Sequence, residues 1–297
     1  MGSQPYRLIV TRPARDAGLW VKALENSGFK VQALPLIEIG AITRPADIEA
    51  LHAAWHGLHD YAACMFVSGN AVQYFFKQIS AASQYNQAQA AINNVAIEAI
   101  KTGRSSVRFW ATGPGTAAAL LDVGVPAAQI DAPPAEAGQF DSEALWQVVG
   151  QRDWQAKRVL VLRGQTCGAA TPTAAGRNWL AQQLRAGGAQ VDMLSVYHRF
   201  APMLTDAQIQ LAQAARQDGT VWLFSSSEAV GNLMQQPGLA GVDWRHACAV
   251  ATHPRIAQAL HAAGWGVVQQ SRPTLPDIVD SVRVMRCRSN APLRPDH

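Results

Sequence analysis

An α/β fold of two similar domains is what this sequence predicts, and three observations carry the prediction. Apolar runs of strand length alternate with amphipathic, helix-like stretches. Glycines stand where those stretches should end. Four motifs occur twice along the 297 residues, in the same order each time.

Eight runs read as strands: Leu8–Thr11, Val31–Leu34, Ala63–Val67, Val107–Ala111, Val159–Leu162, Val191–Val196, Val221–Phe224 and Cys248–Ala251. Most lead through a short turn into a helical stretch. Ala14–Asn26 runs up to Gly28, and Gly176–Ala186 runs up to Gly187. Strands alternating with helices imply parallel sheets flanked by helices.

The repeat is the most informative feature. RLIVTRP (7–13) matches RVLVLRG (158–164), and LENSGFKVQALPLI (24–37) matches LRAGGAQVDMLSVY (184–197). FVSGNAV (66–72) matches FSSSEAV (224–230), and ATGPGTAAAL (111–120) matches ATHPRIAQAL (251–260). Four pairs in register argue for duplicated domains of one fold. By itself the repeat places the cut near residue 152. Residues 80–106, rich in Ala, Gln and Asn, read as an inserted helix or surface loop. Arg286–His297 has no periodicity and reads as a mobile tail.

Composition narrows the function. Apolar residues make up 48% and charged residues 15%, enough for packed cores. The net charge of +4 rests on twenty arginines against five lysines. That is too mild to call for nucleic acid but suits a small polyanion, because guanidinium groups grip carboxylates in a fork. The start, MGSQPYRLIV, lacks the basic and apolar regions of a signal peptide, and no run nears 18 apolar residues. A cytoplasmic chain with no membrane partner is expected. Cys64, Cys167, Cys248 and Cys287 form no CxxC pair, so reduced thiols and no zinc site are expected.

Candidate site residues gather where strands give way to helices. Thr11 and Arg12 follow the first strand, Ser68 and Asn70 the third, Gly113 and Thr116 the fourth. Arg163 follows Val159–Leu162, Ser225 and Ser226 follow Phe224, and His253 and Arg255 follow Ala251-Thr252. In a parallel sheet all these turns share one edge, where N–H groups at helix starts and nearby hydroxyls make carboxylate sites. Two such edges facing across a hinge would line a cleft. Each hydroxyl could equally serve as a helix cap, and Gly113 and Gly115 could simply permit their turn.

Other patterns point to less. His52, His56 and His59 share a helical spacing, but without a carboxylate a solvated face is the better reading than a metal site. Gly113-Pro114-Gly115-Thr116 lacks the Gly-Lys-Ser/Thr ending of a phosphate loop, and neither GxGxxG nor GxSxG occurs. No cofactor is expected.

The series TRP, LPLIEI (34–39), FVSGNAV, ATGPGTAAAL, VLVLRG, VYHR (196–199), FSSSEAV and ATHPRIAQAL is similar to uroporphyrinogen-III synthases over roughly residues 6–282. The resemblance implies two flavodoxin-like domains joined by a two-strand hinge. One would comprise residues 1–38 and 200–285, the other 39–199, with crossings near Leu36–Gly40 and Tyr197–Pro202. It implies a cofactor-free lyase that closes hydroxymethylbilane to uroporphyrinogen III. Loss of the hydroxyl gives an azafulvene on ring A; ring D attacks through its substituted carbon, and the spiro intermediate fragments and recloses inverted. Because the bilane closes unaided to the type I isomer, the enzyme must fold its substrate as well as accelerate it.

The resemblance makes Tyr197 the residue that assists hydroxyl departure, since a phenol can donate to the leaving oxygen. Thr116 and Ser226 match residues of the family's two turns. At the second GPxT-like turn this chain reads His253-Pro254-Arg255-Ile256, so the hydroxyl is missing. The expected partner is hydroxymethylbilane alone, met by a monomer in transient contact with the preceding pathway enzyme. A noncatalytic tetrapyrrole-sensing module and a hinged binding protein for another anion are the alternatives.

Overall fold

The computed structural model describes residues 7–82, 87–167 and 179–289. The chain forms β1 (Arg7–Val10), α1 (Ala14–Asn26), β2 (Lys30–Ala33), β3 (Glu38–Ala41), α2 (Pro45–His56), β4 (Ala63–Phe66), α3 (Gly69–Ala82) and α4 (Gln87–Lys101). It continues with β5 (Arg108–Ala111), α5 (Pro114–Asp122), β6 (Ile130–Asp131), α6 (Ser142–Val149), β7 (Arg158–Thr166), α7 (Trp179–Ala186) and β8 (Gln190–Phe200). Last come α8 (Asp206–Ala214), β9 (Val221–Phe224), α9 (Ser227–Met234), β10 (Cys248–Ala251), α10 (Pro254–Ala262), β11 (Val267–Gln270) and α11 (Leu275–Ser289).

Two compact units result, one of Met1–Glu38 with Phe200–His297 and one of Ile39–Arg199. The first holds a five-stranded sheet in the order β11-β10-β9-β1-β2, with every pair parallel. The second holds six strands in the order β3-β8-β7-β4-β5-β6. Its strands β8 to β6 pair in parallel, and β3 at the edge makes the sheet mixed.

The repeat explains this wiring. Read from β9, the first unit runs β9, β10, β11, β1, β2; the second runs β4, β5, β6, β7, β8, with the same spatial order. Each unit therefore holds one complete set of the four motifs, assembled from parts of both sequence copies. The cut near residue 152 that the repeat suggests falls inside the second unit and is not a boundary.

Burial follows from the sequence of the strands. In the second unit Cys64, Phe66, Phe109, Ala111, Leu160 and Leu162 join one buried cluster. Their neighbours Ala63, Met65, Trp110, Val159 and Val161 join another. Alternate residues of a strand point to opposite faces, so continuous apolar runs serve two cores at once. In the first unit Leu8, Val10, Val221, Leu223 and Val250 pack with Leu24 of α1 and Ile278 and Val282 of α11. Trp222 of β9 meets Trp244 and Trp265 edge-on, and those two rings stack 4.9 Å apart.

Several expectations need correction. No turn follows Leu162: β7 runs on to Thr166, so Arg163 lies within a strand, paired to Ser195. A β-bulge follows at once, with Gly164 opposite Tyr197 and Val196 left over. The glycine with positive φ after α7 is Gly188 (85°), not Gly187, in step with Gly28 (88°) after α1. Residues 286–289, assigned to the tail from sequence, continue α11; 290–297 lie outside the described residues. So do 176–178, where a helix start was expected, and 83–86 of the insertion, whose later part forms α4.

Candidate functional site

In an open doubly wound sheet, ligands bind beyond the carboxyl ends of the strands, at the point where chain order reverses. That point lies between β4 and β7 in the second unit and between β1 and β9 in the first. Some of the candidate residues lie at these two places, while Gly113 and Thr116 follow the neighbouring β5 and His253 and Arg255 the neighbouring β10.

In the second unit Ser68 follows β4 and opens α3, its Oγ accepting the N–H of Ala71 at 3.2 Å. The same Oγ lies 3.1 Å from the Tyr197 hydroxyl, and either can donate. The tyrosine ring is only 3% exposed and lies within the buried cluster, 5.8 Å from the ring of Tyr74. Tyr197 thus reaches the switch point through its hydroxyl, where Ser68 meets it. Ser68 and Asn70, in the first turn of α3, are half-buried. Gly113 leads into α5 in an extended conformation, with Phe140 so close that an added Cβ would stand 3.1 Å from its Cβ. α5 begins with Pro114 after Gly113, which makes no side-chain cap hydrogen bond, and the Thr116 N–H donates to the Gly113 carbonyl at 3.1 Å. Thr116 is 6% exposed, while Gly115 faces open space.

In the first unit Thr11 is buried, and its hydroxyl donates to the Leu223 carbonyl at 2.8 Å, tying β1 to β9. Arg12 lies over the Trp20 ring, 4.5 Å from its centroid. Its Nε is buried and lacks a hydrogen-bond partner. Burial lowers its pKa to about 10, with Asp16 acting in the opposite sense, so the group stays charged at neutral pH. α1 also starts without a side-chain cap, after Pro13. Ser226 caps α9 by accepting the Glu228 N–H at 3.2 Å, and Ser225 beside it is half-buried. His253 caps α10, its Nδ1 accepting the Arg255 N–H at 3.1 Å, and Arg255 is exposed.

The missing hydroxyl at residue 256 now has a structural setting. Thr116 and Ile256 occupy the same helical position and are 6% and 5% exposed. At this inward-facing position an isoleucine replaces a polar group with packing.

The three histidines do not form one face. α2 ends at His56, Gly57 follows, and His59 sits in a separate 3₁₀ turn beside Asp60. Among the described residues no group of three or more His, Cys, Asp or Glu side chains comes together as a metal site. Sequence reasoning missed Gly164, Tyr74 and Trp20. Only Gly164 left a signal, as the residue that ends RVLVLRG.

Largely parallel sheets flanked by helices, with hydroxyls and arginines along their carboxyl edges, define an α/β protein of the kind that binds ligands at those edges. The family model described as uroporphyrinogen-III synthase HemD matches residues 19–280. The chain belongs to the uroporphyrinogen-III synthase family, cyclising hydro-lyases of haem biosynthesis that act on a small-molecule tetrapyrrole. Among solved structures it is similar to a mutant uroporphyrinogen III synthase from Thermus thermophilus, at 14% identity and a TM-score of 0.53, over 95% of this chain and 98% of that one. It is also similar to uroporphyrinogen-III synthetase from Helicobacter pylori, at 14% identity and a TM-score of 0.52, over 96% and 100% of the two chains. At that identity the likeness bears on the fold. No helix among the described residues is long and apolar enough to cross a membrane.

Proposed function

We propose that in closing hydroxymethylbilane to uroporphyrinogen III this chain uses the Ser68–Tyr197 pair to release the substrate hydroxyl. The observation that carries the reading is the 3.1 Å contact between Ser68 Oγ and the phenol at the switch point of the second unit. Ser68 Oγ already accepts the Ala71 N–H. When it also accepts the phenol proton, its own hydrogen is left to donate outward.

One proton then passes from Ser68 to the departing oxygen, and the phenol proton replaces it on the serine. The C–O bond breaks and water leaves, while the pyrrole nitrogen supplies the electron pair that makes the azafulvene. Ring D attacks through its substituted carbon to give the spiro intermediate; the bond from that carbon to the ring C methylene breaks, ring D recloses on that methylene through its free carbon, and the proton that this carbon loses as ring D regains aromaticity returns to the phenolate. Within the second unit carboxylates are taken at the first turn of α5, with Arg163 adding charge, and within the first unit at the first turns of α1, α9 and α10, with Arg12 and Arg255 adding charge. Gly113, Thr116, Ser225 and His253 shape those turns, and Asn70 the first turn of α3. Thr11 acts through the β1–β9 tie that places Arg12. The reading includes action as a monomer in the cytoplasm, supplied with bilane by the preceding enzyme.

Incubation with freshly made hydroxymethylbilane, followed by oxidation and separation of isomers, tests this. Type III product should dominate with the parent chain. Tyr197→Phe and Ser68→Ala should each slow its formation roughly ten- to a hundredfold, the cost of one transition-state hydrogen bond. Parent-like rates in both folded variants would remove the pair from the mechanism.

A further inference from the structure

We propose that Gly164 is a positioning residue for this reaction: by carrying no side chain it admits the Tyr197 ring and so sets the phenol against Ser68. The proposal rests on Tyr197 assisting hydroxyl loss, as argued above.

A Cβ added at Gly164 would lie 2.4 Å from both Cε2 and Cζ of Tyr197, and 2.8 Å from its hydroxyl oxygen. Real Cβ contacts are not that short, so the ring or the strand would have to move. Backbone conformation does not explain the glycine, since residue 164 is absent from the positions with positive φ. What demands glycine here is space, and Tyr197 occupies it.

The tyrosine has little freedom to yield. Its ring is buried against Tyr74, and its hydroxyl is engaged by Ser68. The bulge contributes as well. In an unbroken strand Val196 and Tyr197 would point to opposite faces, yet both belong to the same buried cluster. The extra residue in β8 re-aims the tyrosine, as bulges do beside active sites, and brings it over Gly164.

The repeat supplies an internal comparison. In the first copy the position of Gly164 is held by Pro13 and that of Tyr197 by Ile37. Where the tyrosine is missing the glycine is missing too. The pair has been set up once, in the unit with Ser68.

Steady-state kinetics and isomer analysis of Gly164→Ala, alone and with Tyr197→Phe, test the assignment. Gly164→Ala should lower kcat for type III product about as much as Tyr197→Phe, roughly tenfold or more, with KM little changed. Because the alanine acts only by displacing the phenol, Gly164→Ala/Tyr197→Phe should be no slower than Tyr197→Phe. A parent-like kcat for Gly164→Ala, or a double variant slowed by the product of the two single effects, would overturn the assignment. Tyr197→Phe with full activity would instead refute the underlying reading of the tyrosine. If Gly164→Ala does not fold, Tyr197→Leu, which empties the space, should restore its thermal unfolding to that of Tyr197→Leu alone. Failure of that rescue would show that the strand, not the tyrosine, requires the glycine.

Discussion

Arg12 rests its guanidinium on the face of Trp20, 4.5 Å from the ring centroid, with its Nε buried and lacking a hydrogen-bond partner. A cation so placed is held by the ring but keeps donors for an incoming carboxylate. Arg12→Ala should weaken binding of uroporphyrinogen III by about 1–2 kcal/mol without abolishing it. Titration under anaerobic, reducing conditions would measure this. A loss of all binding would mean that one arginine clamp, rather than shared helix starts, holds the ligand.

Trp20 should matter through Arg12. Trp20→Leu removes the cation–π platform, worth about 0.5–2 kcal/mol, and frees the guanidinium to wander. Its effect on affinity should largely vanish in an Arg12→Ala background. Additive losses in the double variant would detach Trp20 from the binding role.

Asp131 makes the acid limit of the second unit predictable. The buried carboxylate accepts from Arg108 and Arg152 through both oxygens and from the Trp110 indole. Burial pushes its pKa up, but the hydrogen bonds from Arg152 and Arg108 outweigh that and bring it down to about 2. A folded pKa below the unfolded value of about 3.9 means the contribution is complete above pH 4 and is lost as pH falls through 2. At neutral pH it is on the order of 2 kcal/mol. Asp131→Asn should lower stability by about that amount at pH 7, with the gap from the parent closing near pH 2. A constant gap across that window would refute the linkage.

Two glycines should respond in opposite ways. A Cβ at Gly266 would stand 1.8 Å from the Arg245 carbonyl oxygen, so Gly266→Ala must shift backbone and should cost several kcal/mol, on the order of 3. Gly115 lies in the first turn of α5 with nothing within 4 Å of an added Cβ. The sequence suggests that Gly115 permits the turn, but the structure leaves room for a side chain. Gly115→Ala should be neutral or stabilise by up to about 1 kcal/mol, since glycine loses more chain entropy on folding. Thermal unfolding of both variants decides this; destabilisation by Gly115→Ala would restore the turn argument.

By itself the sequence determined what local chemistry can encode. Seven of the eight apolar runs became inner strands and one, Val31–Leu34, became the edge strand β2, while Ala14–Asn26 became α1 residue for residue. The repeated motifs marked the strand ends where Ser68, Gly113, Ser226 and His253 start helices. These signals are legible because burial on two faces demands continuous apolar runs, and helix starts demand particular caps. The other edge strands, β3, β6 and β11, reading EIGA, ID and VVQQ, carry no such pattern. Their strand state comes from pairing with a neighbour, and only tertiary structure supplies the neighbour. The same holds for the site. Thr11 looked like a ligand group until the Leu223 carbonyl took its hydroxyl, and Arg163 looked like a turn residue until β8 extended β7 past it. Gly164 and Tyr197 are 33 positions apart, and that one leaves room for the other is a fact of packed volume, which no local stretch of sequence contains.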